Sequence, residues 1–196
     1  MTSPRLALFG GSFDPPHLAH LAIAGAAVEQ CALQRVVFIP CQESPLKEKQ
    51  PGASGPDRME MLRLATAGLP WAEISDWELS RPGPSYSWQT AEHFAALHPG
   101  AALHWLMGAD QWASLERWAQ PDILRCRLTF IVFARSGVQP QPRDGWRAHF
   151  LRGEWHASST GARAALASGS VAGDLLPAAV EKYAVRRGLY RPADPR

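Results

Sequence analysis

Short apolar runs alternate with longer segments of helical periodicity along most of the chain. The runs are rich in aliphatic and aromatic residues, which is typical of strands buried on both faces of a parallel sheet. Six runs predict strands: Arg5–Phe9, Arg35–Pro40, Ala72–Asp76, Leu103–Met107, Leu128–Ala134 and His149–Glu154. Six other segments predict helices: Leu18–Gln30, Asp57–Leu69, Ser87–Leu97, Pro121–Arg125, Ser159–Ala167 and Pro177–Arg187. This alternation favours an α/β fold with a doubly wound, mostly parallel sheet.

Two segments, 43–56 and 136–147, interrupt the alternation and are dense in Pro, Gly, Ser and Gln. The first follows a predicted strand at its carboxyl end, which is where open α/β sheets bind ligands. We therefore expect a substrate loop there, and we expect Asp57 to be the N-cap of the helix that follows. The sequence assigns no chemistry to the second segment.

The composition is that of a globular protein, with 46% hydrophobic and 19% charged residues in a chain of 196. This length predicts a single domain over residues 1–196. A net charge of +2 is too small to predict a nucleic-acid partner. Three cysteines without a Cys-x-x-Cys spacing argue against a disulfide framework and a zinc site, and no metal-ligating residues are predicted. Without a signal-peptide pattern or a membrane-length apolar run, a cytoplasmic location without membrane contact is expected.

The first strand leads into the sequence Gly-Gly-Ser-Phe-Asp-Pro-Pro-His-Leu-Ala-His. Gly10 and Gly11 allow backbone N–H groups to approach an anion without a Cβ in the way. The following helix adds partial positive charge at its N-terminus, and His17 and His20 face one side of its first turn. Such an arrangement suits phosphoryl or nucleotidyl transfer. A glycine turn with two capping or solvated histidines is the alternative.

A second group of candidate residues follows the fourth predicted strand. Asp110 lies at the carboxyl end of that strand, in position to bind ribose hydroxyls, although it can also be a helix N-cap. Trp118 comes eight residues later, about two helical turns, so both side chains can face one cleft. A tryptophan in the hydrophobic core is the alternative interpretation of Trp118.

Two further helix starts carry hydroxyl groups. Ser159 and Thr160 open one helix, with Arg163 in its first turns, which is a pattern for a second anion site. Tyr86 and Ser87 open another helix after Ser85. Ordinary N-capping would explain either helix start.

The order of these motifs resembles one family closely. Gly-Gly-Ser-Phe-Asp-Pro-x-His-x-x-His, Pro-Leu-Lys, Ser-Tyr-Ser-x-x-Thr, Gly-Ala-Asp-x₇-Trp and Ser-Ser-Thr-x-x-Arg together resemble bacterial nicotinate-nucleotide adenylyltransferases, of the HxGH nucleotidyltransferase superfamily. The resemblance extends from about Leu6 to Tyr190. It implies a Rossmann-like nucleotidyltransferase fold in which residues 155–190 carry the last motif and closing helices.

The resemblance also implies an activity: adenylyl transfer from ATP to nicotinate mononucleotide, giving deamido-NAD and pyrophosphate in NAD biosynthesis, with Mg²⁺ accompanying ATP. By position it implies three catalytic residues, His17, His20 and Arg163. It implies eight ATP-binding residues: Gly10, Gly11, Ser12, Phe13, Gly108, Asp110, Ser159 and Thr160. It implies four substrate-binding residues: Lys47, Tyr86, Ser87 and Trp118.

This chain departs from the family pattern at several motif positions. Ala19 stands where the family usually has glycine, and Leu46 where it often has histidine. Ser87 and Gln89 replace the usual threonine and aspartate. Two alternatives stay open: a related adenylyltransferase with another acceptor, such as nicotinamide mononucleotide or phosphopantetheine, and a non-catalytic nucleotide-binding module.

Overall fold

The computed structural model describes residues 3–45, 51–134 and 137–191, and a six-stranded sheet lies at its centre. The strands are β1 (Arg5–Gly11), β2 (Arg35–Pro40), β3 (Ala72–Ile74), β4 (Ala102–Gly108), β5 (Thr129–Phe133) and β6 (Ala148–Phe150). They pair in parallel in the order β3-β2-β1-β4-β5-β6. The predicted doubly wound parallel sheet is thereby confirmed. Since the strand order reverses between β1 and β4, a ligand crevice is expected at their carboxyl ends.

Seven α-helices and one short 3₁₀ helix cover this sheet within the described ranges. The α-helices are α1 (Leu18–Cys31), α2 (Gly55–Thr66), α3 (Ser87–Leu97), α4 (Ala109–Ala113), α5 (Pro121–Arg127), α6 (Ser159–Ser168) and α7 (Ala178–Arg186). The 3₁₀ helix is Leu115–Arg117. None of these helices is long and apolar enough to cross a membrane.

Side chains of the central strands alternate between two hydrophobic clusters, one on each face of the sheet. Leu8 packs on the face that also buries Phe94 of α3 and Leu124 of α5. Its neighbour Phe9 packs on the opposite face with Ile23 of α1. Successive residues of a strand point to opposite faces, so the continuous apolar run of β1 serves both clusters.

The C-terminal helices α6 and α7 pack against α2 in a third cluster that includes Met61, Leu166 and Val180. A buried carboxylate reinforces this packing: Asp57 accepts hydrogen bonds from Tyr183 (2.9 Å) and Arg187 (3.2 Å) on the α7 segment. The prediction that Asp57 is the N-cap of α2 is wrong. Ser54 is the N-cap, and its hydroxyl accepts from the Asp57 backbone N–H at 3.2 Å.

Several element boundaries differ from the sequence prediction. The first strand continues through Gly10 and Gly11, which pair with Ile39 and Pro40, instead of ending at Phe9. The predicted third and sixth strands are shorter, and α4 and the 3₁₀ helix were not predicted. Both are too short for hydrophobic periodicity to show.

The described part of the second loop, residues 137–147, folds over the end of α4. Arg143 donates to the carbonyls of Trp112 (3.0 Å) and Ala113 (3.1 Å) and pairs with Glu116. The Trp112 indole N–H donates to the Gln141 carbonyl at 2.8 Å. These bonds satisfy carbonyls that a helix end leaves without intrahelical partners, so the loop supports the segment between β4 and α5.

Candidate active site

His17 and His20 form a reciprocal pair at the start of α1. His17 is the N-cap: its Nδ1 accepts from the backbone N–H of His20 at 3.3 Å, and His20 Nδ1 accepts from the backbone N–H of His17 at 3.1 Å. The two imidazole rings stack with their centroids 3.6 Å apart. Because Nδ1 is the acceptor in both rings, the proton of each neutral imidazole lies on Nε2. The histidines are therefore capping residues, as the alternative interpretation held, and their rings are also fixed side by side.

Aromatic packing holds the loop between β1 and α1. Phe13 is fully buried, and its ring packs edge-on against His20 (4.9 Å) and Phe9 (5.5 Å) between ring centroids. A Cβ on Gly11 would lie 3.2 Å from the Phe13 ring, and one on Gly10 would lie 3.0 Å from Trp105 Cζ2. The two glycines thus make room for aromatic rings at the carboxyl end of β1.

A buried arginine joins the ends of β1 and β2. Arg58 of α2 is only 3% exposed, and its Nη1 donates to the carbonyls of Ser12 (3.0 Å) and Cys41 (2.8 Å). Both carbonyls lie just beyond the carboxyl ends of their strands. Arg58 therefore fixes the backbone on one side of the crevice and adds a positive charge there.

The N-terminus of α6 is brought against this same loop from far along the sequence. Ser159 donates from its hydroxyl to the Pro15 carbonyl at 3.0 Å. Arg163 donates from Nη1 to the Asp14 carbonyl at 2.7 Å and from Nη2 to the Thr160 hydroxyl at 3.3 Å. The histidine pair and the Ser-Ser-Thr-x-x-Arg motif, predicted as two anion sites, thus border one region.

Asp14, in the loop between β1 and α1, is hydrogen-bonded to several segments that are distant in the sequence. Asp14 is 5% exposed, and its carboxylate accepts from the backbone N–H groups of Gly52 (2.8 Å) and Ala53 (3.0 Å) and from the Tyr190 hydroxyl (2.8 Å). Arg163 Nη1 lies 4.0 Å from the same carboxylate. Asp14 thereby links the opening loop to the loop before α2 and to the C-terminal segment.

The other side of the crevice is formed where β4 passes into α4. Gly108 is the N-cap of α4, and Asp110 lies in its first turn with an exposed side chain. Asp110 is thus not the N-cap that the alternative interpretation allowed. The chain leaves the α-helix after Ala113, so the two-turn helical spacing between Asp110 and Trp118 does not exist.

Trp118 instead follows the 3₁₀ helix, and its half-buried ring packs edge-on against Trp105, with centroids 6.1 Å apart. Its indole Nε1 is buried and has no hydrogen-bond partner in the described part of the chain. Trp118 therefore joins the edge of the core, next to the ring that lies over Gly10.

The start of α3 is attached to the end of β2. Tyr86 is the N-cap but makes no side-chain cap hydrogen bond, so capping does not explain this segment. Ser85 donates its backbone N–H to the Glu43 carbonyl at 2.9 Å, and its hydroxyl accepts from the Gln42 N–H at 3.0 Å. The N–H groups of Ser87 and Trp88 precede the first bonds of this helix, which Gln89 and Thr90 donate to the Tyr86 carbonyl at 3.0 and 3.3 Å.

Glu78 lies buried behind this helix start. It is 5% exposed, and one carboxyl oxygen accepts from the Thr90 hydroxyl at 2.6 Å. Burial raises the pKa of Glu78, while hydrogen bonds from Thr90 and Ser85 lower it. Glu78 connects the first turn of α3 with the segment that precedes it.

Sequence reasoning assigned no role to Asp14, Arg58 or Glu78. Asp14 belongs to the quoted motif, but Arg58 and Glu78 carry no local signal that separates them from surface charges. Lys47, predicted to bind substrate, and Leu46 lie outside the described residues. Within the described ranges, no group of three or more His, Cys, Asp or Glu side chains is placed to hold a metal ion.

Comparisons with known proteins agree with this architecture. The chain matches the model of the Cytidylyltransferase-like family over residues 8–165. It is 38% identical to a probable nicotinate-nucleotide adenylyltransferase of Methylacidiphilum infernorum, over 97% of this chain and 94% of that protein. It is also 38% identical to the protein of the same description from Gloeobacter violaceus, over 95% of this chain and 96% of that protein.

Solved structures of low sequence identity share the fold. The Plasmodium falciparum nicotinic acid mononucleotide adenylyltransferase complexed with NaAD superposes with a TM-score of 0.78 at 16% identity, covering 95% of this chain and 97% of that one. A putative nicotinate-nucleotide adenylyltransferase from Vibrio parahaemolyticus superposes with a TM-score of 0.71 at 19% identity, covering 97% of both chains.

Proposed function

This chain belongs to the nicotinate-nucleotide adenylyltransferase family, and from that premise we propose that it joins ATP and nicotinate mononucleotide to give deamido-NAD and pyrophosphate. The observation that carries the proposal is that two elements predicted to bind anions meet at the sheet's switch point. His17 and His20 follow β1, and Arg163 reaches the same loop from α6. A binding module would need one such element to hold a phosphate, whereas transfer needs several fixed donors that stabilise the charge growing on the departing pyrophosphate.

The chemistry requires no covalent bond to the protein. A 5′-phosphate oxygen of the acceptor attacks the α-phosphorus of ATP, and the bond between that phosphorus and the pyrophosphate oxygen breaks. Negative charge grows on the departing pyrophosphate. The Nε2–H groups of His17 and His20 and the guanidinium of Arg163 stabilise that charge, and because they are fixed beforehand they need little reorganisation.

The remaining ATP contacts are proposed along the carboxyl ends of β1 and β4. The ATP phosphates lie along the backbone of Gly10, Gly11, Ser12 and Phe13. Ser159 and Thr160, at the start of α6, bind the same phosphates from the other side. Gly108 and the exposed Asp110 hold the ribose hydroxyls. ATP would be bound together with Mg²⁺, which would offset part of the negative charge on its phosphates.

Nicotinate mononucleotide is proposed to lie between α3 and the end of β4. The N-terminus of α3 at Tyr86 and Ser87 offers backbone N–H groups to the pyridine carboxylate. Trp118 supplies a flat apolar surface for the ring, and Lys47 assists with the acceptor. Phosphopantetheine has no anionic aromatic ring that could bind the N-terminus of α3 or stack on Trp118.

Pyrophosphate release from ATP tests the proposal when several acceptors are compared. Nicotinate mononucleotide should support release, nicotinamide mononucleotide less, and phosphopantetheine none. Release with another acceptor alone would identify a related transferase, and ATP binding without release would identify a binding module. His20→Ala should lower kcat by about 10²–10³-fold, the usual cost of removing one preorganised donor, with a smaller change in ATP affinity. Near-normal turnover would make the histidine pair structural.

A further inference from the structure

A tyrosine in the segment that follows α7 contacts the opening loop. Tyr190 has a φ of +65°, a left-handed conformation that is uncommon for a residue with a side chain. Its ring packs with Leu189 against the cluster formed by α2, α6 and α7. Its hydroxyl donates to Asp14 Oδ1 at 2.8 Å. Packing and this hydrogen bond together hold Tyr190 in its position.

The phenol of Tyr190 serves as a neutral donor. Burial and the neighbouring Asp14 carboxylate both raise the pKa of Tyr190. The charged groups that face this hydroxyl are Asp14, Arg163 and Arg58, and the two arginines oppose the shift without reversing it. Tyr190 therefore stays a neutral phenol and donates a hydrogen bond to Asp14.

Asp14 has two kinds of hydrogen-bond partner, one bound to its carboxylate and the other to its backbone carbonyl. Its carboxylate already accepts from the Gly52 and Ala53 N–H groups and from Tyr190. Arg163 instead bonds to the Asp14 backbone carbonyl at 2.7 Å, and its Nη1 stays 4.0 Å from the carboxylate. A hydrogen-bonded ion pair would require about 2.7–2.9 Å. The guanidinium is thus held beside the carboxylate without being bound by it.

We propose that Tyr190 is a positioning residue for Arg163: by holding Asp14 Oδ1 it fixes the orientation of the carboxylate, so that Oδ2 stays 4.0 Å from Arg163 Nη1 and no hydrogen-bonded ion pair forms. Arg163 then keeps its donors for the phosphates of ATP. Without the hydroxyl, the buried Asp14 carboxylate loses one of its three hydrogen-bond donors and can turn, and Arg163, whose Nη1 already lies 4.0 Å from Oδ2, can then form an ion pair with it. Formation of that pair turns Arg163 away from the phosphates. The inference rests on the proposed role of Arg163 in ATP binding.

Tyr190→Phe tests the proposal, and Tyr183→Phe is its matched control. Both variants remove one tyrosine hydroxyl that donates to a buried aspartate, but Tyr183 donates to Asp57 at 2.9 Å, away from Arg163. ATP affinity is measured by calorimetry without an acceptor, alongside thermal unfolding. Tyr190→Phe should weaken ATP binding about tenfold, the scale of one charge-assisted hydrogen bond. Tyr183→Phe should lower Tm to a similar extent and leave ATP affinity unchanged.

A double-mutant cycle with Arg163→Ala separates positioning from general loosening. In the Arg163→Ala background, Tyr190→Phe should have no further effect on ATP affinity. Additive losses, or equal losses of affinity in Tyr190→Phe and Tyr183→Phe, would overturn the proposal for Tyr190 alone. A wild-type chain that binds no ATP, or whose affinity Arg163→Ala leaves unchanged, would overturn the proposed ATP site and this inference with it.

Discussion

Gly10→Ala separates two physical reasons for the glycine at the end of β1. In the sequence, Gly10 suggested close approach of an anion to the backbone. In the structure, an added Cβ would lie 3.0 Å from Cζ2 and 3.4 Å from Cη2 of Trp105. Trp105 is 4% exposed and packs edge-on against Trp118, so its ring has little room to retreat. Since the backbone of Gly10 is not left-handed, the cost of alanine here is steric.

The expected destabilisation is that of an overpacked core, about 1–3 kcal/mol. For a chain of this size, each kcal/mol corresponds to about 2–4 °C in Tm, so Gly10→Ala should lower Tm by about 2–12 °C in scanning calorimetry. Gly25→Ala is the matched control. Gly25 lies inside α1, and its added Cβ would make only an ordinary contact of 3.9 Å with Trp71. Alanine should stabilise that helix by about 0.5–1 kcal/mol.

Kinetics then distinguish the two explanations of Gly10. A displaced Trp105 shifts Trp118, so Gly10→Ala should raise KM for nicotinate mononucleotide more than KM for ATP. If KM for ATP rises instead while Tm is unchanged, the Cβ obstructs a phosphate and the packing argument fails. An unchanged Tm together with unchanged kinetics would show that neither reason applies.

Three further substitutions test individual contacts. Arg163→Lys should lower kcat/KM for ATP by about tenfold or more, because an ammonium cannot reproduce the bidentate guanidinium; equal kinetics would place Arg163 outside the ATP site. Trp118→Ala should raise KM for nicotinate mononucleotide by the equivalent of about 1–3 kcal/mol while KM for ATP stays constant, and a rise in KM for ATP instead would refute the acceptor assignment. Asp57→Asn should cost about 1–3 kcal/mol at neutral pH. Hydrogen bonds from Ser54, Tyr183 and Arg187 lower the pKa of Asp57 below 3.8. Its stabilisation is therefore present above that value and lost as pH falls through the folded pKa, so urea titrations should show the stabilities of the variant and the wild type converging as the pH is lowered below 3.8.

The sheet could be predicted because buried parallel strands need continuous apolar runs, and these are visible in a single sequence. The residues at which helices begin were harder to predict from the sequence. Ser54 stands before Gly55 and Pro56, and a serine followed by proline in the first turn is a recognised start signal. Asp57 is nevertheless the more obvious candidate in the sequence, because the periodic residues begin after it. Both belong to the same cap: the Ser54 hydroxyl also donates to the Asp57 carboxylate at 2.6 Å.

One physical reason explains why the roles of Asp14, Arg58 and Glu78 could not be predicted from the sequence. A buried charge is identified by its partners, and those partners are distant in the chain: Asp14 accepts from Gly52 and from Tyr190, and Arg58 donates to the Cys41 carbonyl. The local hydrophobic pattern indicates only whether a residue lies on the buried or the exposed face of its helix or strand. In the opening motif Asp14 could therefore be taken for a turn residue next to proline. Only the folded chain shows that Asp14 carries the contact between the histidine loop and Arg163, and that Tyr190 of the C-terminal segment bonds to the same residue.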